Sequence, residues 1–206
     1  MNLEYYISSY CHIRNNELSI NGTSFFIEEK NVTFSDFSKK IYKELNLSYS
    51  KFFKMDNLSK LAFLGAECVL NSESEEEHDD VAIILTNKAS SLDTDRKHQA
   101  SIQNKDSFYP SPAIFVYTLP NIAIGEISIK HQLRSENAFF IFDAFNANFL
   151  HKYTNSLLTN NKAESVLCGW VDYDGDNYDC FMYQVSRKGK IKHTTNDLNN
   201  LYKTKE

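Results

Sequence analysis

Four cysteines, Cys11, Cys68, Cys168 and Cys180, are the strongest nucleophiles in this 206-residue chain. No two form a CxxC pair, so neither a zinc knuckle nor a dithiol redox site is spelled out. Cys168 and Cys180 stand in apolar runs of strand length, where a thiol is inert. A reactive thiol needs an electropositive, partly exposed place such as a helix N-terminus. The six histidines, at 12, 78, 98, 131, 151 and 193, show no two-ligand helical spacing. The stretch Asp172-Tyr-Asp174-Gly-Asp176-Asn-Tyr-Asp179 has the composition of a calcium loop but not its spacing. Position six is Asn177 instead of Gly, and position twelve is Tyr183 instead of Glu. It reads as a polar hairpin turn. The acidic run 72–80 reads as a solvated loop. GxGxxG, P-loop, HExxH and GxSxG patterns are absent, and six glycines leave little for a phosphate cradle. No metal and no cofactor is expected.

Composition narrows the function classes. A hydrophobic content of 42% and an aromatic content of 14% describe a globular chain with a real core, of a length that fits one domain. A net charge of −5 argues against nucleic acid as the main partner, since phosphate binding needs a basic face. No apolar run approaches the ~20 residues of a membrane helix, so no membrane insertion is expected. The first residues carry no basic segment followed by an apolar stretch and a cleavage site. With four scattered thiols, this describes a reduced, cytoplasmic protein.

The elements that would position these groups follow from periodicity. Strands are predicted over 4–13, 81–86, 138–142, 165–171 and 179–185. The run Val81-Ala-Ile-Ile-Leu85 is apolar throughout, as in a strand buried on both faces, and 138–142 is read the same way. Helices are predicted over 34–45, 57–70 and 145–160, with a short one starting at Asp93. In 57–70, Gly65 and Ala66 on the buried side imply close approach of another element, and Asp56 or Asn57 is placed to cap. Residues 121–130 are ambiguous between helix and strand. All three prolines (Pro110, Pro112, Pro120) bracket the apolar run 113–117, which reads as extended or as one helical turn. Residues 191–206 read as a polar, flexible tail. Together these give an α/β domain with a mixed, five-stranded sheet flanked by helices.

Several words in this order resemble β-ketoacyl synthases. Lys54-Met-Asp-Asn-Leu-Ser-Lys-Leu-Ala62 is similar to the "RMDRxSxLAL" entry to their first long helix. Val81–Leu85 with Asp93-Thr94-Asp95 resembles their second strand and the loop after it. Ser111-Pro112, Phe115, Thr118-Leu119-Pro120-Asn121 and Gly125-Glu126-Ile127 resemble their "SPxxFxxTxPNxxxGxIA" stretch. Ala163 to Trp170 resembles the strand that leads to their "GG". The resemblance covers most of 54–186, and residues 111–127 are its most specific part.

The resemblance implies the N-terminal half of a thiolase-like fold over residues 1–190, with 191–206 as the tail. The second half, with the two catalytic histidines, has no counterpart here. The synthase nucleophile is a cysteine at a helix N-terminus, where the dipole and backbone amides favour a thiolate and then an oxyanion. Asp143 or Ala144 stands at that position, and neither is a cysteine. A carboxylate there could cap the helix or form a poor acyl acceptor, capping being the favoured role.

The implied function is that of a non-catalytic subunit, similar to a chain length factor, in fatty-acid or polyketide (polyene-pigment-type) biosynthesis. Its implied partners are a full-length β-ketoacyl synthase and an acyl carrier protein, in a homo- or hetero-oligomer. By the same resemblance Phe139, Phe140, Ile141 and Phe142 form an interface strand. Tyr117, Thr118, Leu119, Pro120 and Asn121 form a loop facing the partner's acyl pocket. A half fold of this kind is also expected to expose an apolar helix face. Two other readings stay open. One is an acyl-transfer or hydrolytic enzyme using Cys168, Asp143 or another residue. The other is a stand-alone module that binds acyl chains or acyl carrier protein.

Overall fold

Asp56 starts the structure's most buried helix. Its Oδ1 accepts the Ser59 N–H at 2.9 Å, which satisfies one of the free amides of the first turn. From there α2 (Asn57–Leu70) is buried from Leu58 onward except at Lys60. A helix apolar on all sides must be covered on all sides. A sheet lies on one side, with α1 (Phe34–Glu44) and α5 (Ile122–His131) beside it. Gly65 is where the sheet comes closest. A Cβ there would lie 2.9 Å from Cys180 Sγ and 3.2 Å from Met182 Cε. Gly65→Val overpacks this contact and is expected to cost about 3 kcal/mol in urea unfolding. Cys180→Ala in the same chain should return part of that loss.

These elements belong to a computed structural model that describes residues 4–29, 31–70, 80–104, 106, 108–175 and 177–204. The strands are β1 (Tyr6–Arg14), β2 (Glu17–Ile20), β3 (Thr23–Ile27), β4 (Val81–Asn87), β5 (Asn137–Ile141), β6 (Ser165–Asp174), β7 (Asn177–Ser186) and β8 (Ile191–Lys192). They form one sheet in the order β3-β2-β1-β7-β6-β4-β5, with β8 paired to the start of β1. β4 runs parallel to both β5 and β6, while β7 is antiparallel to both β6 and β1. The mixed α/β architecture is as expected, but the sheet has eight strands, not five. The five predicted strands are all present. The surplus comes from β2 and β3, a hairpin in a stretch of mixed polarity, and from the two-residue β8.

β4 is buried along its whole length. Ile83 and Leu85 join the α2 side, and Ala82 and Ile84 join the opposite side. There α6 (Ala147–Thr159) and α7 (Thr195–Lys203) cover the sheet. β5 differs from its expected burial: it is the last strand of the sheet and its residues are exposed or half-buried. Its side chains still alternate between the two layers, Phe139 on the α2 side and Ala138 and Phe140 on the α6 side, but at the end of the sheet they are only partly covered.

Residues 121–130 resolve as helix α5. The segment 191–206 is not a loose tail over its described residues. It contributes β8 and α7, and Thr194 caps α7 by accepting the Asp197 N–H at 3.1 Å. The expected apolar helix face is absent from α6, whose outward positions are Asn148, Lys152 and Ser156. Exposed apolar side chains gather elsewhere, at Phe108, Tyr109, Phe115, Val116 and Leu119. The acidic run lies outside the described residues over 72–79, as does His78. The described residues of 172–179 form the β6–β7 hairpin, as the failed calcium-loop spacing suggested.

Candidate functional site

Because β4, β5 and β6 are parallel, the loops that follow them meet at one end of the sheet. In open α/β sheets the crevice at the carboxyl ends of the strands is the usual ligand position. Asp172 on β6 ties down the loop after β4 by accepting the Lys88 and Ala89 N–H groups at 3.0 and 2.8 Å. Phe142 N–H donates to Asn87 O at 2.8 Å, which fixes the exit from β5.

Asp143 and Ala144 follow immediately and are exposed in the loop before α6. Asp143 does not cap that helix. The cap is Asn146, whose Oδ1 accepts the Phe149 N–H at 3.0 Å. Asn caps as well as Asp, and it stands next to the first helical residue, whereas Asp143 is three positions further upstream. Phe145 turns inward, stacks on Tyr202 of α7 at 4.2 Å and meets Trp170 edge-on at 6.5 Å.

The proline-marked segment reaches the same end. Pro112 is the first residue of α4 (Pro112–Val116), one short helix with Ser111 as its cap. Tyr117 ends it, and Thr118, Leu119, Pro120 and Asn121 lead into α5. Three side-chain hydrogen bonds and an ion pair hold this loop. Ser91, just after β4, donates to Thr118 O at 2.6 Å. Thr118 Oγ1 donates to Phe115 O at 2.7 Å. Tyr117 donates to Glu126 Oε1 at 3.0 Å, while Lys51 Nζ lies 2.8 Å from Glu126 Oε2. Burial and the Glu126 hydrogen bond push the Tyr117 phenol upward, so it stays a donor. Leu119 is 55% exposed and Phe115 58%, so the loop presents an apolar surface from a fixed backbone.

Glu126 is the positioning group the sequence reading did not single out. It is 4% exposed, and it was legible as the one charge inside Ile122-Ala-Ile-Gly-Glu-Ile-Ser-Ile129. A carboxylate on an apolar helix marks a bonded partner. Glu126→Ala leaves the Tyr117 hydroxyl without its acceptor and is expected to cost about 1–3 kcal/mol. Limited proteolysis should then cut within 117–121 at a lower protease dose than in the parent chain.

Phe139, Phe140 and Ile141 lie on β5, and Phe142 lies one residue past its end. Ile83 N–H donates to Glu136 O, and Phe142 N–H to Asn87 O. In a parallel ladder the bonded residues alternate, so 136, 138, 140 and 142 turn their backbone groups to β4. The N–H and C=O of 137, 139 and 141 therefore point away from the sheet along an open edge. Beside that edge stands an aromatic ladder. Phe140 and Phe142 pack on Phe149 at 4.7 and 4.8 Å, and Phe149 stacks on Tyr153 at 5.6 Å. All four rings are half-buried.

The thiols hold no such position. All four are buried. Cys168 lies 3.0 Å from Thr154 Oγ1, and burial pushes its thiol up to about 12. It is a core residue and not a nucleophile at neutral pH. Among the described residues no group of His, Cys, Asp and Glu is arranged to hold a metal ion, and no helix is long and apolar enough to cross a membrane.

No family model matches the chain, and no curated protein does. Solved structures do. The ishigamide ketosynthase/chain length factor superposes with a TM-score of 0.63 at 14% identity, over 89% of this chain and 62% of that one. A chain of the ketosynthase ApeO in complex with its chain length factor ApeC, from Xenorhabdus doucetiae, superposes at 0.59 and 14% identity. There the match covers 98% of this chain and 91% of that one. The AntDE:AntF complex, a type II ketosynthase with its acyl-carrier protein, gives 0.60 at 12% identity, over 90% and 63%. The chain thus spans less than two thirds of the first and third of these structures, and nearly all of the second. At such identities the likeness is one of fold: this is a thiolase-like, ketosynthase-type fold.

Proposed function

We propose that the chain is a non-catalytic ketosynthase-like subunit, acting as chain length factors do. It pairs with a full-length condensing enzyme and shapes the space for the growing acyl chain, in a fatty-acid or polyketide pathway. The open edge of β5 carries this reading. Three outward N–H and C=O sets at 137, 139 and 141, flanked by half-buried aromatic rings, form a template for a strand from another protein. An edge of this kind, unshielded by charge or proline, asks for a partner.

Chemistry supports the non-catalytic part. The expected nucleophile position offers an exposed carboxylate and a methyl group, and neither can be made into a thiolate. The half domain 1–190 would supply the interface and the Tyr117–Asn121 loop. Leu119 and Phe115 would then line the partner's acyl tunnel. The acyl carrier protein would dock on the pair, as the AntF carrier protein does with its ketosynthase.

The test is reconstitution. The condensing enzyme is assayed with carrier protein and acyl donors, with and without this chain, and product lengths are read by mass spectrometry. The expected result is a stable complex and a shift in product length when the chain is present. The same products at the same rate without it would remove the proposed role.

A further inference from the structure

Residues 191–203 cross back over the sheet beside α6, held by one apolar contact patch and by a set of polar bonds. β8 pairs with β1 through only two residues. α7 has nine residues, too few to hold a helix alone in water. Leu198 is its one fully buried side chain. Ile191, Leu201 and Tyr202 pack partly buried against the same core, Tyr202 on Phe145 at 4.2 Å. The remaining fixings are polar, and three of them are imidazoles on three different elements.

At the far end of α7, His12 Nε2 on β1 meets Leu201 O at 3.1 Å, and Arg14 Nη1 donates to Tyr202 O at 3.0 Å. At the near end, His193 Nδ1 meets Asn155 Oδ1 at 3.0 Å, and Asn155 Nδ2 lies 3.0 Å from His151 Nε2.

A proton on His151 breaks this chain of bonds, and one on His193 charges a buried ring. The Asn155 amide accepts from His193 and donates to His151, so His151 Nε2 must keep its lone pair. A proton there removes the acceptor. His193 Nε2 is buried with no hydrogen-bond partner, so a proton there would bury an unpaired charge. The two rings are 5.2 Å apart.

Among the described residues no free carboxylate offsets these charges. Arg14 beside His12 and Lys152 beside His151 are cations. Asp179 on β7 is engaged with Arg14 and Tyr202. Asp197 on α7 is engaged with Thr194, and Lys192 with Glu4. From β7, Phe181 stacks on His12 at 4.8 Å, and the Tyr183 ring lies 6.0 Å from His193.

We infer that residues 191–203 form a proton-sensitive strap. At neutral pH it lies over the aromatic surface of Phe145 and Phe181, next to the Asp143–Ala144 loop. In mild acid it releases and opens that surface while the sheet stays folded.

The direction follows from linkage. Burial holds His12 down to about 4 and His193 down to about 3, and lowers His151 as well. The docked form favours neutral rings, because burial opposes a charge on each, although the His12 Nε2–H and His193 Nδ1–H donate in either state. Docking is therefore complete above the ordinary histidine value of about 6.5 and is lost as pH falls below it. At pH 5 the released form gains about thirtyfold from each of His12 and His193.

Amide hydrogen exchange on the full chain tests this, with α7 compared against β6 at pH 7.5 and pH 5, after correction for intrinsic exchange. Protection of α7 should fall by about 100-fold or more while β6 is unchanged. Unchanged α7 protection overturns the inference. Parallel loss in α7 and β6 also overturns it, because that is global acid unfolding. In H12Q/H151Q, where the amides can keep both bonds, the acid loss should shrink at least tenfold. The same loss in that variant would show that the histidines are not the sensor. If the variant undocks at pH 7.5, the parent comparison still decides.

Discussion

Ile141→Pro is expected to abolish pairing with the condensing enzyme while leaving the chain folded. The side chain of Ile141 is 49% exposed, so the core loses little. By the ladder alternation its N–H points out along the open edge and makes no bond to β4. Proline thus removes one of three outward donors at 137, 139 and 141 and places a ring where the partner strand would lie. A partner carbonyl buried without its donor costs about 1–3 kcal/mol, or roughly tenfold to a hundredfold in affinity, before the steric term. Phe140→Pro is the contrast, since its N–H bonds to β4. It should weaken the fold itself, seen as a lower unfolding midpoint. Binding measured by interferometry and stability by urea titration separate the two. Equal loss of stability in both variants would mean that the edge is misassigned.

The second large effect is on product length. Phe115→Asp with Leu119→Asp should leave both the fold and the complex intact, because both side chains are exposed and the loop is anchored by Ser91, Thr118 and Glu126. Carboxylates facing an apolar tunnel would disfavour an advancing alkyl chain. A single methylene in such a pocket is worth tenfold or more in discrimination, so the ratio of longest to shorter products should fall by about tenfold. Unchanged product lengths in an intact complex would take the loop out of the acyl tunnel.

How much of this could be read from residues alone differs by element. Helix α2 was legible because its apolar residues, Gly65 and the Asp56 cap all pointed one way. The stretch 111–127 carried the family resemblance, and the structure gives its prolines a plain job: Pro112 opens α4 and Pro120 leads into α5. Residues 121–130 were ambiguous because isoleucine every second or third residue satisfies either period. Burial of Glu126 decided for helix.

β5 was misjudged as fully buried because an aromatic run looks the same whether it lies in the middle of a sheet or at its edge. Only the strand order tells them apart. The 191–203 segment looked loose because its docking bonds go to His12, Arg14 and Asn155, far away in sequence and polar in type. No local pattern reports such contacts. The capping of α6 by Asn146 instead of Asp143 depended on where the loop ends, which periodicity fixes only to within a few residues.

The most direct measurement places a photocrosslinker at position 141 and identifies the adducts formed in the native host by mass spectrometry. The expected adduct joins residue 141 to the corresponding edge strand of a full-length ketosynthase, and it should disappear when Phe139→Pro is added. An adduct only with a second copy of this chain, or only with proteins of unrelated fold, would contradict the proposed pairing.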